Sequence, residues 1–371
     1  LCEIADEQLL WRNYNRVSDK LYVFYCAVSR NILHSFYIRS GKKCCCTVIC
    51  EYGSFYWIVS SWFGKNGFEK ENNMDIRCEL KRCANMLSYI LNMGSIATIS
   101  EKPMDSNEQG FSGAAIIRLD VVFNDGRKGS FIAKKAELKE RMAMQTLTEQ
   151  GHLYTPAAYS DNLVSDEPVW MIQQDLGKRV HAPYGDQKWM ENVAEALVEI
   201  HGNNMNRGEE MPWLPHADAN YWKKIVTQIS VDHFERAVCE DGNFAREFEK
   251  YLPKLRAAVN AFACDMTALY KEKQWLTLTH GDLQNIEGKH VYNIEGKPYI
   301  IDFGFVRYAP FYIDLVDYFS FENVALYYKA LTARGFSLNW KDFEERFRTA
   351  FRYPCFIYMF PGIMKWRNGS E

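Results

Sequence analysis

The chain has 371 residues, a formal net charge of −3, and 47% apolar, 15% aromatic and 25% charged residues. That length exceeds one ordinary core and calls for two or three lobes, while the near-neutral balance gives no whole-protein reason to expect nucleic acid as a partner. Eleven cysteines, three of them consecutive at Cys44, Cys45 and Cys46, offer no C-x-x-C pair with histidine spacing, which argues against zinc and for reduced thiols in a cytoplasmic protein.

No signal-peptide pattern occupies the first residues. The most apolar stretch, 44–63, is broken by Glu51, Gly53 and several serines, so it reads as two strands joined by a turn at 51–54 and not as a membrane span. Ile76, Leu80, Cys83, Leu87 and Leu91 then share one helical face. Residues 1–95 are therefore expected to form an N-terminal α/β extension, to which no chemical motif assigns a role.

From 96 the texture changes. "GFSGAAIIRLDVVFNDGRKGSFIAKK" predicts strand, Asn124-Asp125-Gly126 turn and strand, followed by a helix over 136–150 and a short strand in "EPVWMIQQDLG". Beyond 176 the pattern is mostly helical. "ENVAEALVEIHG" carries Val193, Ala194, Leu197 and Ile200 on one face; a long amphipathic stretch spans 244–271, with Pro253 kinking or restarting it. A further helix is predicted over 313–331.

The chemistry concentrates in two segments. "THGD" ends in Asp282, and "KPYIIDFG" holds Asp302 at the close of an apolar run. Val291 to Ile294, a Glu295-Gly296 turn and Pro298 to Ile301 predict a hairpin that brings the two carboxylates together. One can accept a proton from an attacking hydroxyl while the other holds a divalent cation. Such a cleft also needs a phosphate cradle and a cation of its own. Gly110 and Gly113, flanking Ser112 in "GFSGA", let backbone amides approach phosphate oxygens. Lys134 closes a strand, and Glu140 on the next helix is its natural counter-ion; Lys135 and Glu137 are the rivals, since strand register is not fixed by sequence.

This order of elements resembles the aminoglycoside phosphotransferase and choline kinase family over roughly residues 96–335. The resemblance implies an α+β, bilobal protein-kinase-like fold: a small β-rich N-lobe over 96–175 for nucleotide and a larger helical C-lobe over 176–371 for the catalytic loop and substrate. It implies an ATP-dependent phosphotransferase moving the γ-phosphoryl to a hydroxyl of a small molecule, aminoglycoside-, choline- or sugar-like, with Mg²⁺ or Mn²⁺. Asp282 would be catalytic and Asp302 a metal ligand. Gly110, Ser112, Gly113, Lys134, Glu140, the hinge Met171, Ile172, Gln173 and Gln174, and Ile301 under the adenine would bind nucleotide. Asp314, in "APFYIDLVDYF", would brace the catalytic loop.

The family's second metal ligand is an asparagine five residues after the catalytic aspartate, where this chain has Glu287. Asn285 comes two residues early. Counting back from Asp302 puts His290 at that place, after an enlarged loop, and imidazole suits Mn²⁺ or Zn²⁺ better than Mg²⁺. Two alternatives follow: a kinase of peptide Ser or Thr recognised through 1–95, or a pseudokinase that binds nucleotide without turnover. His201 and His280 read as structural, and the aromatic run Tyr308, Phe311, Tyr312, Tyr318, Phe319 and Phe321 reads as core in preference to a cation box.

Overall fold

The computed structural model describes residues 69–104, 115–177, 183–283 and 290–369, with the backbone alone for 69–75. The hairpin expected in 44–63, the glycine turn with Gly110, Ser112 and Gly113, and the loop positions Asn285 and Glu287 lie outside these residues.

The architecture is α+β. Helix α1 (Glu69–Ile90) leads into strands β1 (Ile96–Pro103), β2 (Ile116–Phe123) and β3 (Lys128–Ala136). Helix α2 (Leu138–Glu149) and strands β4 (Ala158–Tyr159) and β5 (Val169–Gln174) complete an antiparallel sheet of order β1-β2-β3-β5-β4. The β2–β3 hairpin turns where expected, with Gly126 at φ +86°. Strand β1 escapes the sequence reading because Ile96 is its one buried side chain, so no apolar alternation marks it.

The sheet is covered on both faces. Leu80, Cys83, Ala84 and Leu87 of α1 pack on Leu119, Val121, Phe123, Phe131, Ala133, Trp170 and Ile172. On the opposite face Ala136 and Met171 join Ala143, Met144 and Leu147 of α2 in a core that continues into the helical part. Alternation along β3 thus sends Ala133 towards α1 and Lys134 towards α2 and the cleft.

The helical part comprises α3 (Gln187–Asn204), α4 (Ala219–Val226), α5 (Asp232–Glu240), α6 (Gly242–Phe248) and α7 (Leu252–Tyr270). Asp186 caps α3 by accepting the Trp189 amide at 2.8 Å. Pro253 sits in the first turn of α7, where its missing N–H costs nothing, so the amphipathic stretch restarts there. Two short antiparallel pairs flank the segments that carry Asp282 and Asp302: β6 (Leu276–Thr279) with β9 (Arg307–Pro310), and β7 (Val291–Ile294) with β8 (Lys297–Ile300). Glu295 at φ 53° and Gly296 at φ 84° make the predicted two-residue turn.

The helix predicted over 313–331 is two helices, α8 (Tyr312–Tyr318) and α9 (Ala325–Ala333). Phe319 is extended, and Asn323 Oδ1 accepts the Ser320 amide at 2.8 Å, an alternative to helical pairing that continuous apolar periodicity hides. Helices α10 (Trp340–Ala350), α11 (Tyr353–Ile357) and α12 (Met359–Arg367) close the fold. Tyr308, Phe311, Tyr312, Tyr318 and Phe319 are buried in the helical core, with Phe321 packed against it. No described helix is long and apolar enough to cross a membrane, and no disulfide joins the described cysteines.

Candidate active site

Lys134 is where the two halves meet. Its ammonium stands 2.6 Å from Glu140 Oε1 on α2 and 2.6 Å from Asp302 Oδ1 beyond β8. Lys135 points to the other face, exposed over the Trp170 ring, and Glu137 is an exposed residue at the start of α2 paired with Lys139. Of the rivals, pleat parity selects Lys134 and Glu140. Burial alone would strip the proton from Lys134, but two carboxylates hold its pKa above the ordinary lysine value. Burial pulls Asp302 the other way, yet the Lys134 ammonium and then His290 hold its carboxyl down to about 2. Asp302 itself takes φ 64°, ψ 65°, a left-handed conformation costing a non-glycine residue about 1–2 kcal/mol, and this aims its carboxylate back at Lys134.

Asp282 stands on a loop that is braced from two sides. On one, Asp314 of α8 accepts the His280 and Gly281 amides, each at 2.7 Å. His201 of α3 donates to the same carboxylate at 3.0 Å and accepts from Tyr327 at 2.9 Å. Burial works to raise Asp314, but the His201 hydrogen bond and the amides hold it below the usual carboxylate range. His280 donates through Nε2 to the Ile301 carbonyl at 2.7 Å and accepts the Asp282 amide at Nδ1, 3.2 Å away. Burial, then the neighbouring His290, keep its pKa below the ordinary imidazole value, consistent with this neutral tautomer. His201 and His280 are structural, as their sequence context indicates.

On the other side lies Arg307, which sequence reading missed. It is fully buried, donates to the Gly281 carbonyl at 3.0 Å, and lies 5.2–5.7 Å from the rings of Tyr353, Trp222 and Tyr221. Gly281 turns at φ +81°, and a Cβ there would come within 2.1 Å of the guanidinium. The one signal available was an arginine inside an otherwise apolar run, "FVRYAPFY".

His290 precedes β7 and is pinned to the partner strand, its carbonyl accepting the Ile301 amide at 2.9 Å. Its Nδ1 donates to the Asp282 carbonyl, and its Nε2 faces Asp302 Oδ2 at 3.6 Å. The structure therefore brings Lys134, Glu140, Asp302, His290 and Asp282 together, with the Ile301 backbone bonded to His290 and His280 beside them. A loop carboxylate, a second carboxylate shared between an ammonium and an imidazole, and that fixed ammonium are groups that can together align a hydroxyl and neutralise phosphate charge.

The expected hinge is less open than its sequence suggests. Met171, Ile172, Gln173 and Gln174 are all strand residues of β5. Ile172 and Gln173 pair with β4 as well as β3, and the Gln174 amide donates to Ala157 at 2.8 Å. Residues 175–177 leave the sheet directly afterwards, with Asp175 anchored by Ser130 at 2.6 Å and Arg118 at 2.9 Å. On the far side of the loop Tyr358 donates to the buried Asp317 at 2.6 Å. Burial, then the Asp317 and Asp282 carboxylates, push its phenol well above the usual range.

The model of the phosphotransferase enzyme family (APH) matches residues 116–346, more than half of the chain. A comparison with curated proteins finds no match. Solved structures that resemble the chain include an ethanolamine kinase from Plasmodium vivax, at 12% identity and TM-score 0.45, with 81% of this chain and 84% of that one covered. A choline kinase from Cryptosporidium parvum aligns at 12% identity and TM-score 0.49, covering 72% and 83%. A macrolide 2'-phosphotransferase from Brachybacterium faecium aligns at 10% identity and TM-score 0.41, covering 80% and 94%. Because the family match begins with β2 and ends within α10, taking in Lys134, the braced loop and Asp302, the chain belongs to the phosphotransferase enzyme family and is a phosphotransferase acting on hydroxyl acceptors.

Proposed function

We propose that the protein transfers the γ-phosphoryl of ATP to a hydroxyl of a small molecule, with Asp282 aligning that hydroxyl and accepting its proton. The observation that carries this reading is the Lys134 ammonium, 2.6 Å from both Glu140 and Asp302 in the cleft that also holds Asp282. A lysine locked between two carboxylates is a fixed positive charge for the ATP phosphates, and it needs no reorganisation when they arrive. Glu140 sets its position. Asp302 Oδ2, with Asn285 from the loop, would hold the divalent cation, which adds charge neutralisation at the transferred group.

Residues 96–175 serve nucleotide binding in this reading and 176–371 carry the loop and acceptor site. Gly110, Ser112 and Gly113 cover the phosphates. The hinge lies at the C-terminal end of Met171–Gln174, with Ile301 below the ring.

A thermal melt tests the reading. ATP with Mg²⁺ or Mn²⁺ is expected to raise Tm by mass action, and Asp302→Ala is expected to abolish the shift. Asp282→Ala should keep the shift and lose phosphoryl transfer to acceptors screened by mass spectrometry. Full transfer by Asp282→Ala, or no shift of the wild type with either metal, would overturn it.

A further inference from the structure

We propose that Arg307 is a positioning residue for phosphoryl transfer: its guanidinium holds the peptide between Gly281 and Asp282, and so sets where the Asp282 carboxylate stands. This rests on the phosphotransferase reading and adds to it a residue that is fully buried.

Gly281 is the weak link of the loop. At φ +81° it takes a conformation that glycine adopts freely, so its own covalent structure does not stop the following peptide from turning over. Its two ends are held by opposite charges instead. The Asp314 carboxylate accepts the Gly281 amide at 2.7 Å, and the Arg307 guanidinium donates to the Gly281 carbonyl at 3.0 Å. Tyr353 donates to the same carbonyl at 3.1 Å and accepts from Arg307 at 2.6 Å, which closes a triangle of hydrogen bonds. The N–H of that peptide, on Asp282, donates to His280 Nδ1 at 3.2 Å. Turning the peptide over would forfeit the bonds from Arg307, from Tyr353 and to His280 at once.

The charge itself needs a reason. The hydrogen bonds of the guanidinium go to neutral oxygens, those of Gly281, Tyr353 and Tyr221, the last at 3.1 Å, and among the described residues its Nε has no partner. Burying a cation without a carboxylate works against stability, and an apolar side chain of similar volume often serves packing better. What a guanidinium adds is a rigid fork that reaches several oxygens and a flat face that stacks on rings. Here the rings are Tyr221 and Trp222 of α4 and Tyr353 of α11, 5.2–5.7 Å away. The Arg307 backbone is fixed opposite Thr279 in the β6–β9 pair, and the Thr279 hydroxyl donates to the Arg307 carbonyl at 3.1 Å. The strand that enters the loop and two helices thus converge on one carbonyl, a single residue before Asp282. Misplacing a catalytic group by about 1 Å can cost about 100-fold in rate, so the hold on this carbonyl bears directly on turnover.

The experiment compares the full chain of wild type with Arg307→Met, Arg307→Lys and Tyr353→Phe. Methionine fills similar space without charge or donor, whereas lysine keeps both. Calorimetry measures ADP·Mg²⁺ affinity. Steady-state kinetics give kcat and the KM for ATP, with an acceptor that the wild type phosphorylates in a mass-spectrometric screen, and hydrogen exchange follows the amides of 280–282. Arg307→Met should bind ADP·Mg²⁺ as wild type does, with an unchanged KM for ATP, a kcat about 100-fold lower, and faster exchange confined to the peptide containing 280–282. Arg307→Lys should stand between the two, and Tyr353→Phe should show the same split more weakly. Wild-type kcat in Arg307→Met would overturn the inference; where that chain fails to fold, wild-type kcat in both Arg307→Lys and Tyr353→Phe would do so. A loss of ADP·Mg²⁺ affinity with faster exchange throughout the chain would also overturn it, as the mark of a residue that only stabilises the fold. Each of these results leaves the phosphotransferase reading standing. Neither ADP·Mg²⁺ binding nor phosphoryl transfer by wild type would overturn that reading and this inference with it.

Discussion

Among the described residues Lys134 is the cation nearest to both Glu140 and Asp302, so its removal should be felt in stability as well as in nucleotide binding. Glu140 is almost completely buried, and its burial raises its pKa even with the ammonium beside it. Breaking a buried pair by deleting one partner costs about 3–5 kcal/mol. Asp302 is partly open to solvent, so Lys134→Met should lose about 3 kcal/mol at pH 7, towards the low end. The deficit should shrink at pH 4.5, because protonating the stranded carboxylates relieves the repulsion that lysine had cancelled. Urea unfolding at the two pH values checks this; equal losses would mean that the carboxylates find other partners. Sequence gave no means of choosing Lys134 over Lys135, since both end the same apolar strand. The choice is made by pleat parity, which depends on α1 claiming the face of Ala133 and Trp170. Asp302 and Asp282, by contrast, were legible because each closes a short motif whose neighbours have few other uses.

At the scale of elements, α8 is the brace of the loop that carries Asp282. Its Asp314 accepts three hydrogen bonds, from the His280 and Gly281 amides and from His201. A carboxylate held below its ordinary pKa of about 3.9 stabilises the fold at pH values above that point. The contribution is lost as the pH falls through the lowered folded-state value. Asp314→Asn replaces one accepting oxygen with a donor facing donors, and should cost about 3 kcal/mol at pH 7. The gap from wild type should narrow steadily below pH 4. Steady-state kinetics should show a lower kcat with little change in the KM for ATP, because Lys134, Glu140 and Asp302 are untouched. A gap that stays constant with pH would show that Asp314 is not the ionised acceptor. The brace could be anticipated from "APFYIDL", but its counterpart could not. Arg307 acts through a carbonyl 26 residues away and through three aromatic rings from α4 and α11, contacts that arise only once β6 and β9 have paired. Strand β1 and the break between α8 and α9 were hidden for the opposite reason: one has too little apolar pattern and the other too much.

The whole molecule is held by two cores that share one sheet. The face carrying Leu119, Val121, Phe123, Phe131 and Trp170 is covered by α1, while the face carrying Ala136 and Met171 merges with the helical core. The lobes are tied again where the Ile300 amide of β8 donates to Tyr154 at 2.7 Å and where the side chains of Gln150 and Asn204 exchange hydrogen bonds. Helix α1 therefore belongs physically with the sheet, and a cut at 95 would strip the wall from one of its faces. Burying a leucine is worth about 1.5–3 kcal/mol, so losing Leu80 and Leu87 and exposing their partners removes at least about 5 kcal/mol. A chain starting at 69 should melt in one transition and keep its ATP-dependent shift. One starting at 96 should melt about 10 °C lower or more, or fail to fold. Leu87→Asp in the full chain should reproduce the defect by placing a charge against Cys83 and the sheet. If the chain starting at 96 matched the full chain in Tm and ATP shift, α1 would be an appendage after all. Any search for a recognition role in the N-terminal residues has to cut before α1, because a deletion through it lowers ATP binding by unfolding the sheet, whatever the missing segment recognises.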